Sequence, residues 1–131
     1  MLRELEGEGR TVVADLEAGV GTVLRLQPGL ADVVLVVAQP TAKAIEVARR
    51  AIQIATSRGR VMLIANRVTA DADVALIRNG TEWAEELVVV PDDPAVGRAD
   101  EDGVAPIDAA PDAPAVQALQ ELARRLREKA G

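Results

Sequence analysis

A short stretch near the N-terminus carries residue types suited to holding magnesium and phosphate. In VVADLEAG (residues 12–19) an apolar run ends at Asp15, and Gly19 follows closely. A carboxylate at a strand end can bind a hydrated magnesium ion, and an unobstructed glycine amide can donate to a phosphate oxygen. The same residue types also end ordinary strands and form turns, so the motif by itself leaves a plain turn as the other interpretation.

Two later loops carry groups suited to contacting a nucleobase. Asn66 follows the apolar run VMLIA, and its amide offers both a donor and an acceptor to a purine edge. In VVVPDDPAV, Pro91 and Pro94 stiffen a loop in which Asp93 is placed to cap the next helix. Taken singly, each of these signals is weak, and an ordinary turn is the favoured interpretation.

Four short apolar runs are the elements that would position these loops. They are nearly continuous in apolar residues instead of alternating, which is typical of parallel strands buried on both faces. Helical segments lie between them, so we predict an α/β domain with a mostly parallel sheet flanked by helices. The predicted strands span residues 11–15, 32–38, 61–65 and 87–91.

Capping residues and apolar stripes mark the helices. Thr41 and Gly59 bound a helix predicted over residues 41–58, and Asp112 and Pro114 begin one predicted over 113–129. The predicted buried stripes are Ile45, Ala48, Ile52 and Ala55 in the first, and Val116, Leu119, Leu122, Ala123 and Leu126 in the second. Shorter helices are predicted over 71–79 and 94–102, and a Pro-rich loop over 103–114.

Ligands of parallel α/β sheets bind where the strands end at their carboxyl edge. The loops that follow the four predicted strands are therefore the candidate site. They comprise residues 15–21, 39–41, 66–68 and 91–93.

The composition excludes several kinds of site. With 131 residues, 49% of them hydrophobic and 27% charged, the chain is expected to form one globular domain over 1–131, with 1–10 as an N-terminal tail or helix. It has no Cys and no His, which excludes disulfides and thiolate-bound metals and leaves carboxylates and water for a hard ion such as magnesium. Trp83 is the sole aromatic residue, so a base-stacking platform for single-stranded nucleic acid is excluded.

The net charge of −6 is concentrated in residues 92–112. This acidic segment argues against binding a nucleic-acid backbone. The longest apolar run, VVLVVA, is far too short to span a membrane, and the acidic N-terminus does not resemble a signal peptide. We therefore expect a cytoplasmic protein with no nucleic-acid partner and no membrane span.

Taken together and in this order, the loops resemble the second half of the MinD/ParA-type P-loop ATPases. The resemblance is carried by VVADLEAG, ADVVLVVAQPTAKAIEVARR, LIANRV and VVVPDDPAVGRADEDGVAPIDAAPDAPAVQAL. Within that family the chain looks most like the CooC group, the nickel-insertion accessory ATPases of carbon-monoxide dehydrogenase, and relatives of the nitrogenase iron protein. The resemblance covers residues 11–126, and residues 91–119 are its most specific part.

The resemblance implies ATP and magnesium as cofactors. It matches Asp15 to the family's strand-end Asp that positions magnesium, and Gly19 to the residue whose amide senses the γ-phosphate. It places residues 39–41 beside the phosphates. On the adenine side, it matches Asn66 to the Asn that reads the base, with Arg67 beside it. The resemblance also matches Pro91 and Asp93 to the family's loop that closes over the adenine ring.

The family's N-terminal half is not matched. No GxxxxGK[ST] motif occurs, and GEGR at residues 7–10 has neither the spacing nor the Lys of a phosphate loop. The metal-binding Cys pair of CooC relatives also lies upstream of the matched segment. We therefore expect a half-site that does not hydrolyse ATP alone.

The unmatched half also affects the sheet. In this family the phosphate-loop strand lies between the strands matched by 11–15 and 32–38, so both would have an unpaired edge. The two strands could pair directly with each other, or the gap could be filled by a second copy or by a separately encoded N-terminal half. We expect the chain not to be a simple monomer.

Three roles are consistent with this sequence. In the first, the complemented ATPase would serve metal-centre maturation on a metalloenzyme client or act as an ATP-driven dimer switch. In the second, the chain is a catalytically inactive regulatory or protein-interaction domain that offers its acidic 92–112 surface. In the third it is a truncated product with no independent role.

Overall fold

The computed structural model describes residues 9–16, 25 and 27–130, and within them a three-stranded parallel sheet in the order β1–β2–β3. Helices pack on both faces of the sheet, which confirms the predicted α/β class. The elements are β1 (Val33–Ala38), α1 (Ala42–Ala55), β2 (Arg60–Val68), α2 (Asp71–Thr81), β3 (Leu87–Pro91), α3 (Pro94–Asp102), α4 (Pro106–Ala109) and α5 (Pro114–Ala130).

Helices α1 and α2 cover the first face of the sheet. The Thr41 hydroxyl accepts a hydrogen bond from the Ala44 N–H at 3.3 Å, which confirms the predicted N-cap of α1. The helix ends at Ala55, slightly before the predicted end. All four residues of its predicted stripe are buried, and they pack on the β1 and β2 residues that face them, together with Ile77 and Trp83.

Helix α5 covers the second face, and only over β2 and β3. Met62, Ile64, Val88 and Val90 pack there against Ala115 and Leu122. The predicted burial of Leu119 is wrong, because its side chain is 48% exposed. The stripe that packs on the sheet contains Ala115, Ala118, Leu122 and Leu126, and Leu119 lies at its border.

Burial on both faces is confirmed for β2, but it is wrong for β1 and also for β3, where Val89 is 38% exposed. Leu35 and Val37 are 37% and 57% exposed, whereas Val34, Val36 and Ala38 between and beside them are buried. The exposed pair lies on the second face, because in the register of the sheet Leu35 pairs with Met62 and Val37 with Ile64. Helix α5 does not extend over this part of the sheet, so β1 alternates like a strand with one solvated face.

The strand predicted over residues 11–15 is wrong. Residues 10–16 belong to no helix or strand, and Val13 is 85% exposed. A strand needs a neighbouring strand to exchange backbone hydrogen bonds with. An apolar run that has no such neighbour among the described residues therefore does not form a strand. In the described part of the chain, β1 is consequently the edge of the sheet and not a strand next to an internal gap.

The shorter helices follow the sequence closely. The predictions over 71–79 and 94–102 correspond to α2 and α3, with α2 slightly longer. The Pro-rich loop predicted over 103–114 contains the single turn α4. Among the described helices, none combines the length and apolar character that crossing a membrane requires.

Replacing glycine by alanine is expected to change the free energy of unfolding in opposite directions at two helical positions. A Cβ at Gly80 in α2 would lie 2.4 Å from Cγ2 of Ile45, whereas a Cβ at Gly97 in α3 would meet nothing within 4 Å. Gly97→Ala should raise the free energy of unfolding by about 0.5–1 kcal/mol through helix propensity. Gly80→Ala should lower it by about 1–2 kcal/mol, because overpacking against Ile45 outweighs that gain. Urea denaturation followed by Trp83 fluorescence measures both, and a stabilised Gly80→Ala variant would contradict the close packing of α1 on α2.

Candidate functional site

A cleft of about 660 Å³ opens where β2 and β3 end. Its volume falls within the usual range of small-molecule sites, roughly 300–1,000 Å³. Much of its wall is aliphatic and is contributed by β3, α3 and the segment that leads into α4. The apolar lining residues are Val90, Pro91, Pro94, Val96, Val104 and Pro106.

Asn66 supplies a polar group to this wall. Its side chain is half-buried, and it makes no hydrogen bond or ion pair with any other described residue. A carboxamide can donate and accept at once, so it suits a ligand edge that presents both kinds of group. Within the described cleft, Asn66 is therefore the side chain best able to recognise a heterocyclic base.

Arg67 occupies a break in the β2 ladder. The pairing of β2 with β3 shifts between Ala65 and Val68, and Arg67 has a φ of 58°, in the left-handed region that non-glycine residues seldom adopt. The Arg67 Nε donates to the Asp92 carboxylate at 3.2 Å, and both side chains are well exposed. The bulge thus aims Arg67 at the cleft mouth, where its charge is largely offset by Asp92.

Asp93 joins the starts of two helices. One carboxylate oxygen accepts from the Ala95 N–H of α3 at 3.0 Å, and the other accepts from the Ala115 N–H of α5 at 3.1 Å. The hydrogen bonds from Ala115 and then Ala95 hold the pKa of the Asp93 carboxyl below its ordinary value. The predicted cap of α3 is confirmed. The predicted cap of α5 by Asp112 is wrong, because Asp93, distant in sequence, takes that place.

The structure brings together the four residues that the resemblance assigns to adenine. Asn66 and Arg67 come from the end of β2, and Pro91 and Asp93 from the end of β3, and all four line the same cleft. Because β2 and β3 are adjacent and parallel, their carboxyl ends meet at one edge of the sheet.

Among the residues assigned to magnesium and phosphate, those that the structure describes do not line this cleft. Asp15 is exposed, lies outside any strand and does not line the cleft. Gly19 lies outside the described residues. Of residues 39–41, Gln39 and Thr41 border a different groove, of about 340 Å³, together with Val37, Lys43 and Val47.

The charges that line the cleft suit a neutral ligand better than a polyanionic one. Asp92, Asp93 and Asp100 face it with Arg67 as the only cation among its lining residues, and this balance disfavours a polyphosphate. The described residues contain no grouping of three or more carboxylate, His or Cys side chains arranged to hold a metal ion. Asp15 alone does not make a magnesium site, so we derive no chemical step through magnesium.

Sequence reasoning did not find the helical wall of the cleft. Gly97 lies in the interior of α3 and lines the cleft with Val96 and Asp100 on the same helix. An isolated Gly inside a helical pattern lowers helix stability relative to Ala, and this was the available signal. The acidic segment obscured it, because a run of carboxylates is more typical of a solvated face.

Comparison with known proteins gives no family assignment. No protein-family model matches the chain, and no curated protein shows significant similarity to it. The cleft is therefore interpreted from its own residues and their geometry.

Two carboxylates at helix starts predict acid-sensitive stability. Asp73 accepts from the backbone N–H groups of Thr69 and Ala70 as Asp93 does from Ala95 and Ala115, and these hydrogen bonds lower the pKa of both carboxyls. Because the folded pKa lies below the unfolded one, their stabilisation is present above about pH 4 and lost as the pH falls through the folded pKa. Melting followed by Trp83 fluorescence over this range should show the loss. A double Asp73→Asn, Asp93→Asn variant should melt lower near neutral pH and decline less on acidification, and an equally steep decline would contradict the assignment.

Proposed function

We propose that this chain supplies the adenine-binding half of an ATP site of the MinD/ParA type, closest to that of the CooC group. The observation that supports it is the convergence of Asn66, Arg67, Pro91 and Asp93 on one cleft. These residues come from two separate strand ends, so their common location does not follow from proximity in sequence.

Each group has a distinct part in holding the base. The free carboxamide of Asn66 hydrogen-bonds the purine edge, and the aliphatic wall around Pro91 packs against the ring. Asp93 acts through the backbone, because its carboxylate fixes the loop by binding the starts of α3 and α5. Arg67 lies at the mouth of the cleft, where it adds little net charge while it is paired with Asp92.

In this proposal the phosphates are gripped by groups that complement this chain. A separately encoded N-terminal half carrying a phosphate loop would provide them, with Asp15 and Gly19 serving magnesium and the γ-phosphate in the assembled site. The assembled cytoplasmic ATPase would drive a dimer switch or metal-centre maturation on a metalloenzyme client. The chain alone would bind weakly and would not hydrolyse ATP.

Mapping the ligand by NMR tests the location of the base. Titration of the labelled chain with adenosine should shift the backbone amide signals of the non-proline residues that line the cleft, which include Asn66, Arg67, Asp92, Asp93, Val96, Gly97 and Val104. Asn66→Ala should remove the response. Asn79→Ala, the same substitution at an exposed position on α2, is the matched control and should leave it unchanged. Shifts confined to another part of the chain would overturn the proposed site.

A second candidate function follows from the acidic segment 92–112. Six of its seven carboxylates are exposed: Asp92, Asp100, Glu101, Asp102, Asp108 and Asp112. Such a surface suits a basic protein partner and would make the chain an inactive interaction domain. Salt-sensitive binding of a lysine-rich peptide, lost in an Asp100→Asn, Glu101→Gln, Asp102→Asn variant and unaffected by Asn66→Ala, would favour this function over nucleotide binding.

A further inference from the structure

The outer edge of β1 is an unusual surface for a strand at the end of a sheet. Among the described residues β1 pairs only with β2. Its sequence VVLVVA contains no charge and no Pro, the features that normally protect such an edge from pairing. Leu35 and Val37 are exposed on the face that α5 leaves uncovered, and Val47 of α1 is 40% exposed in the groove beside Val37.

This edge is complementary to itself when two copies run antiparallel. Opposing residues of neighbouring strands point to the same face, so Leu35 must lie opposite a residue such as Val37 of the second copy. A two-fold axis at Val36 satisfies this requirement and pairs Leu35 with Val37 twice. Each exposed apolar side chain then gains an apolar neighbour, and the two sheets become continuous.

The charges at the two ends of the edge favour the same orientation. The exposed carboxylate of Asp32 immediately precedes β1, and Lys43 lies in the groove at its carboxyl end, next to Val37 and Gln39. Antiparallel pairing brings Lys43 of one copy to Asp32 of the other at both ends. Parallel pairing would instead place like charges side by side.

We propose that two copies of this chain associate through the outer edge of β1, antiparallel about a two-fold axis at Val36. The inference develops the second copy named as partner above, and it requires neither nucleotide nor the cleft at β2 and β3. A short strand edge is a small interface, so the dimer is reversible and belongs to the weak class of specific complexes.

Sedimentation velocity over a concentration series, without nucleotide, tests the association. The wild-type chain should pass from monomer to dimer as its concentration rises, and Val37→Lys should weaken association at least about tenfold by placing a charge on the edge. Val89→Lys is the matched control, because Val89 is 38% exposed on β3, at the other side of the sheet. It should associate like the wild type.

Cysteine cross-linking tests the register, since the natural chain has no Cys. A Leu35→Cys, Val37→Cys double variant should form a covalent dimer on mild oxidation, because cross-strand neighbours lie about 4.5–5.5 Å apart, within disulfide reach. The two cysteines of one copy are about 7 Å apart along the strand and cannot join each other. Leu35→Cys alone should cross-link poorly, because it has no cysteine opposite.

Three results would overturn the proposal. One is a monomer at every concentration, which would leave a different chain as the partner of β1. Another is a dimer that Val37→Lys leaves intact and Val13→Lys disrupts, which would assign the contact to residues 11–16. The third is cross-linking of Leu35→Cys alone as efficiently as the double variant. Failure of adenosine binding would bear on the nucleotide site and leave these readouts unchanged.

Discussion

Gly97→Leu is expected to block ligand binding to the cleft at the ends of β2 and β3 without disrupting the fold. Gly97 lines that cleft, and a Cβ built on it meets no atom beyond its own stretch of helix within 4 Å, so a larger side chain can be accommodated there and would take up cleft volume. Leu is a good helix former and should be tolerated in α3. Adenosine affinity should fall at least about tenfold, because the added side chain competes for the volume of the base.

Gly97→Ala is the matched control for this substitution. It adds a single carbon at the same position and should retain adenosine binding to within about twofold while stabilising the helix. NMR titration reports binding, and thermal melting reports the fold. A Gly97→Leu variant that folds normally and binds adenosine like the wild type would show that the ligand lies elsewhere.

Replacing Asp93 should cause the largest loss of stability among the site residues. Its carboxylate serves the N-termini of both α3 and α5, so Asp93→Ala leaves two helix starts without a partner at once. We expect the melting temperature to fall by about 5–10 °C, the combined effect of losing two caps.

Asp93→Asn separates the two contacts. An amide has one acceptor oxygen, so it can serve only one of the two helices, and its melting temperature should lie between those of the wild type and Asp93→Ala. Asp112→Ala is the matched control, because Asp112 is an exposed acid that makes no hydrogen bond with another described residue, and it should melt like the wild type. Equal effects of Asp93→Ala and Asp112→Ala would contradict the bridging role.

The sequence predicted the helices better than the burial of the strands. Helix α1 was predictable because its cap and its stripe are local signals at fixed spacing. The exposure of Leu35 and Val37 was not, since a continuous apolar run reads the same whether or not a helix covers its second face. The strand prediction for residues 11–15 was wrong for a related reason. A strand forms only beside a neighbouring strand, and the local sequence does not specify that neighbour.

The candidate site was predictable only in part. Asn66 and Asp93 stand at strand ends, where parallel sheets place their ligand groups, and the cap that Asp93 gives to α3 follows from its position before Pro94. Its second contact, with Ala115, spans 22 residues and depends on how α5 crosses the sheet. The contribution of Gly97 to the cleft wall likewise depends on where α3 lies, which periodicity alone does not determine.

We propose that this chain binds the base of a nucleotide and lacks the groups that grip its phosphates. Isothermal titration of the purified chain with adenosine and with magnesium–ATP, each repeated on Asn66→Ala, separates the two contributions. We expect weak binding of both ligands, near millimolar or about −4 kcal/mol, with affinities within about threefold of each other and both lost in the variant. Magnesium-dependent binding of ATP tighter than about 10 μM, with adenosine far weaker, would contradict it by showing that this chain holds phosphate itself.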